Sequence, residues 1–132
     1  MEMERFEQLV AEALESLPQE FQEKLENIAV VVQDWPTPEQ LASVGSKHRG
    51  ELLGLYEGIP LTRGGKRHAM VLPDKITIFQ KPIEMVYRSD RGVMRGIVET
   101  VRHEIAHHFG ISDKRLTEMA QQKRIQIKEV KL

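Results

Sequence analysis

Cysteine is absent from the 132 residues, which excludes disulfides, thiolate zinc sites and cysteine nucleophiles and leaves the redox compartment open. Any metal site must therefore be built from histidine and carboxylate. No apolar stretch approaches the roughly 20 residues that a membrane-spanning helix needs. The opening MEMERFEQ has neither the basic start nor the apolar run of a signal peptide. A cytoplasmic protein with no membrane partner is expected. Repeats and low-complexity tracts are missing too. A formal net charge of −1 lacks the basic footprint of a nucleic-acid binder, so no nucleic-acid partner is expected either.

What is present is an ordinary globular composition, 40% hydrophobic and 30% charged, far from that of a disordered chain. The length suits one domain over residues 1–132, with a single core and a basic tail at 123–132, and a monomer is assumed. Charge is uneven: residues 1–34 carry net −7 and the remainder +6. Blocks of this kind are ordinarily solvated helix faces.

Phe6, Leu9, Val10, Ala13, Leu14 and Leu17 recur at helical spacing between glutamates, which predicts an amphipathic helix over 3–16. Pro18 opens a shorter helix carrying Phe21 and Leu25. The β-branched run Ile28-Ala29-Val30-Val31-Val32 reads as a buried strand. Thr37-Pro38-Glu39-Gln40 reads as a capping box that starts a short helix to about Ser43. Leu52 to Tyr56 is a second strand, weakened by Gly54, and Ile76 to Phe79 a third. Gly58 to Asp74 is the main loop, long enough to gate a cleft. A short helix is expected over Pro82 to Arg88, then a long one from a Ser89-Asp90 cap to Phe109, ended by Gly110. A last helix is expected from Ser112 or Asp113 to about Gln121.

The long helix carries VRHEIAHHFGISD at 101–113, with three of the chain's five histidines within six positions. At about 100° per residue, Met94, Val98, Val101 and Ile105 share one side, which predicts the core face. His103 and His107 point the other way, one turn apart and about 6 Å along the axis, so both imidazoles can bind one ion. Glu104, about 100° from His103, lies beside such an ion rather than on it, in position to take a proton from water as general base. Zinc suits two neutral imidazoles and an open coordination position. Gly110 lets the chain turn back, so Asp113 is favoured as third ligand, with Glu118 as the alternative. His108 points away from the ion and reads as structural. His48 and His68 fall in loops and are assigned no role.

The pattern His-Glu-x-x-His-x-x-Gly-x-x-Asp resembles that of the small bacterial zincin-like metallopeptidases, minimal matrix-metalloprotease-like zincins. LLGLYEGIPLT at 52–62 and LPDKITIFQKPI at 72–83 are similar to the same family. The resemblance implies an α+β zincin-like fold, a small twisted mixed sheet packed on helices that include the active-site helix. It implies one zinc per chain on His103, His107 and Asp113, Glu104 as base, and peptide or unfolded-protein substrates lying along a sheet edge. Whether that edge is Leu52 to Tyr56 or Ile76 to Phe79 stays open, as does an oxyanion role for Tyr56 or Tyr87. With 19 residues after Asp113, the lower subdomain of larger metzincins is not expected, and Met119 reads as core. The competing readings are a zinc-stabilised binding module without turnover and, from the cations Arg63, Lys66 and Arg67, a metal-dependent ribonuclease.

Overall fold

A computed structural model describes residues 1–58 and 74–110. The long loop with Arg63, Lys66, Arg67 and His68, the last helix with Asp113, Glu118 and Met119, and the tail at 123–132 lie outside these residues. The described elements are α1 (Met3–Glu15), α2 (Gln19–Leu25), β1 (Ile28–Gln33), α3 (Pro38–Ser43), β2 (Gly54–Glu57), β3 (Asp74–Phe79), α4 (Gln80–Val86) and α5 (Asp90–Phe109). This is the α+β arrangement expected. Among the described residues, no helix is long and apolar enough to cross a membrane.

The sheet runs β1-β3-β2, with β1 parallel and β2 antiparallel to β3. Because side chains alternate along a strand, the register sorts them into two faces. Val30, Ile76 and Tyr56 share one row, and Val32, Ile78 and Gly54 the next. These rows face the helices. Ile76 and Ile78 join Phe6, Leu9 and Val10 of α1, Phe21 of α2 and Val93, Ile97, Val101 and Ile105 of α5 in one apolar cluster.

Two expectations need correction. The valine run is a strand, but among the described residues it stands at the sheet edge and is not fully buried: Val31 is 40% exposed and the rest of β1 is half-buried. Its composition suits a strand, but composition does not say how many neighbours a strand has. On α5, Val101 and Ile105 are buried as expected, but the first half of the core stripe falls one position earlier than expected. Val93 and Ile97 are buried, whereas Met94 and Val98 pack only partly against the cluster. A helix docked by α1 on one flank and the sheet on another buries a broader arc than a single stripe.

Local chemistry fixes the ends of the elements that carry the site. The Thr37 side chain accepts from the Gln40 amide while the Gln40 side chain reaches back, so the expected capping box is formed. Ser89 accepts from the Gly92 amide at 2.9 Å and starts α5. Gly110 ends it at φ 70° and ψ 30°, the left-handed conformation that favours glycine.

Candidate metal and catalytic site

α5 presents two different sides. Val101, Ile105 and Ala106 are buried, while His103, His107 and His108 are exposed and Glu104 is half-buried between them. The exposed imidazoles open into a cleft of about 640 Å³ whose opposite wall is β2, from Gly54 through Tyr56 to Gly58. A second hollow of about 340 Å³ continues along α5 toward Tyr87 and shares His103 and Glu104 with the first. The site therefore lies in a groove between one helix and one strand.

β2 reaches α5 because of a missing side chain. A Cβ on Gly54 would collide with Thr100 Cγ2 of α5 and sit 3.3 Å from the Thr77 carbonyl oxygen. The glycine that weakens the strand signal in the sequence is what permits this approach. With the strand this near, the Tyr56 amide donates to Glu104 Oε2 at 3.0 Å. Antiparallel pairing explains why that amide is available to Glu104. The Phe79 amide donates to the Leu53 carbonyl, so alternate residues from Leu53 onward turn toward β3, and Gly54 and Tyr56 turn outward.

Burial under β2 pushes the Glu104 carboxyl above its ordinary value of 4.5; the Tyr56 hydrogen bond, His107 and His103 act against this by favouring the charged form. A half-buried carboxyl in a cleft and beside two imidazoles is placed for proton transfer. His103 Nε2 also lies 3.6 Å from Glu99 Oε2, one turn back. The pair is exposed and contributes little.

The chain matches the family model of zincin-like metallopeptidases over residues 25–123. It belongs to that family. Membership carries the general chemistry of zinc peptidases acting on peptide substrates. No curated protein matches the chain. The family match starts at Leu25, after α1, yet α1 supplies Phe6, Leu9 and Val10 to the core behind the zincin-like helix.

Of the residues expected at the site, His103, Glu104 and His107 come together in the groove, and Asp113 and Glu118 lie outside the described residues. Among the described residues, no third histidine or carboxylate joins His103 and His107 in a group able to hold a metal. Two exposed imidazoles one turn apart, facing a cleft, nevertheless fit zinc in donor chemistry. The edge-strand question is answered among the described residues: β2 is an edge and β3 is central. Tyr87 lies with its ring over Gly96 of α5, which is packing. Tyr56 lines the cleft, and its hydroxyl donates to Asp74 Oδ2 at 2.8 Å. His48 does not line the cleft. The Tyr56 amide was missed in the sequence because backbone donors carry no residue signature. The only clue was Gly54, two positions earlier.

Proposed function

We propose that this chain hydrolyses peptide bonds in short or unfolded peptides, with one zinc held by His103, His107 and Asp113 and with Glu104 as general base. One observation carries the reading: Glu104 is half-buried between two exposed imidazoles, facing a groove whose far wall, β2, is a sheet edge among the described residues. Bound zinc would act as a Lewis acid, polarising the scissile carbonyl and acidifying a water. The protein's own groups do the rest. An extended peptide can lie along β2, using outward backbone groups of the edge for hydrogen bonds. Tyr56 holds Glu104 by Oε2, which leaves Oε1 to accept the proton from the attacking water. Glu104 then returns that proton to the departing amine nitrogen, so that the carboxylate is regenerated.

The test combines metal content and turnover. Wild-type protein should hold zinc at a ratio near one, and Asp113→Ala should lose most of it. Glu104→Gln should keep the metal and lose peptide cleavage. A zinc-stabilised binding module would instead show no cleavage in any variant, because a structural site has no use for a base beside an open coordination position. Absence of zinc from wild type, even after adding it back, would refute the assignment.

A further inference from the structure

His108 is next in sequence to a proposed ligand, yet its ring faces another group. It lies 3.8 Å from the Tyr56 ring, centroid to centroid, with 14° between the planes. This stack crosses the gap between α5 and β2, two elements that no backbone ladder joins. Both rings are held from behind. The Tyr56 hydroxyl donates to Asp74 at the start of β3, and His108 meets the edge of Phe109 at 5.0 Å and 84°. Lys24 of α2 places Nζ 4.9 Å from the Phe109 ring. Tyr56 thus has its ring clamped by His108 and its amide bonded to Glu104. Ring and amide share one Cα, so anchoring the ring restricts where the amide can point.

We infer that His108 is a positioning residue: by stacking on Tyr56 it holds the β2 edge against α5, so that the Tyr56 amide keeps the Glu104 carboxylate aimed into the groove. The inference rests on the reading of Glu104 as base. It requires a flat ring, not a nitrogen ligand and not a charge, so phenylalanine should replace His108 and alanine should not. Because His108 is exposed, losing the stack should show locally, at Tyr56 and Glu104, more than in global stability.

The experiment uses zinc-loaded wild type, His108→Ala, His108→Phe and, as reference, Glu104→Ala. Hydrogen exchange at the Tyr56 amide is read by NMR, with zinc content and with kcat and KM on a peptide that wild type cleaves. His108→Ala should speed Tyr56 exchange about threefold to tenfold, toward the Glu104→Ala level, and lower kcat by a similar factor with KM and zinc content held. His108→Phe should recover both. Unchanged Tyr56 exchange and kcat in His108→Ala would overturn the inference, as would loss of zinc in that variant or failure of phenylalanine to recover the values. Should His108→Ala not fold, His108→Leu, apolar but without a flat face, takes its place. If wild type cleaves no peptide, the peptidase reading falls and Tyr56 exchange alone decides the role of His108.

Discussion

β1 and β2 flank the same central strand and send alternate residues to the same helix-facing side, yet they hold different residues in equivalent rows. Opposite Ile78, β1 supplies Val32 and β2 supplies Gly54. The difference follows from what lies above. α5 packs on β2 and β3, and at Gly54 it comes so near that a Cβ would strike Thr100. β1 contacts β3 and α2 and fills its row with a β-branched side chain. Thus one edge is built for packing. The other gives up side-chain packing to bring a backbone amide onto a carboxylate.

The largest effect should come from the carboxylate itself. Glu104→Gln should lower kcat/KM for peptide cleavage about 10²- to 10⁴-fold, whereas Val32→Ala on the opposite edge should leave kcat/KM within about twofold, as steady-state kinetics would show. A fall with Val32→Ala as large as with Glu104→Gln would erase the distinction between the edges.

The same carboxyl sets a pH dependence. Its proton is held more tightly in the folded than in the unfolded state, so metal-free wild type should lose stability relative to Glu104→Gln as pH rises from 4.5 through the raised value. Below 4.5 the two should converge. Melting temperatures of both metal-free proteins across this range test the sign. Cleavage by the loaded enzyme should fall as the pH is lowered, since the base works only when ionised.

Gly54→Val should destabilise by about 1–3 kcal/mol, the usual effect of forcing a side chain into filled space, and should free the Tyr56 amide from Glu104. Val32→Ala, which removes half-buried methyl groups without moving α5, should destabilise by about 1 kcal/mol. Denaturant midpoints measure both, and Tyr56 hydrogen exchange should change only in the first. The smallest difference is expected from exposed or single-bond changes. Tyr56→Phe removes the bond to Asp74 and should destabilise by about 0.5–1.5 kcal/mol. Val31→Thr on the exposed side of β1 should stay within about 0.5 kcal/mol of wild type.

Much of this was legible in the sequence because it is local. The Thr37 capping box, the Ser89 cap and the Gly110 stop each depend on groups within a few residues, and all three formed as expected. The spacing of His103, Glu104 and His107 follows from helix geometry once the helix is granted. What the sequence did not show depended on neighbours distant in sequence. The valines of β1 could not say how much of the strand would stay exposed. The stripe on α5 could not say that α1 and the sheet would together bury Val93 and Ile97 more deeply than Met94 and Val98. Nor could the angle of His108 on the helix name its ring partner, Tyr56, 52 positions away.

By itself, then, the amino-acid sequence determined the helix that carries the two histidines and the glutamate, its ends, and the family to which the chain belongs, because these rest on short-range spacing and capping. Only the tertiary structure decided which strand covers that helix, how near it comes, and that a backbone amide of Tyr56 and the ring of His108 meet there. Those contacts join segments about 50 residues apart, and they exist only once Gly54 has let a sheet edge settle against α5 and exclude water from the glutamate.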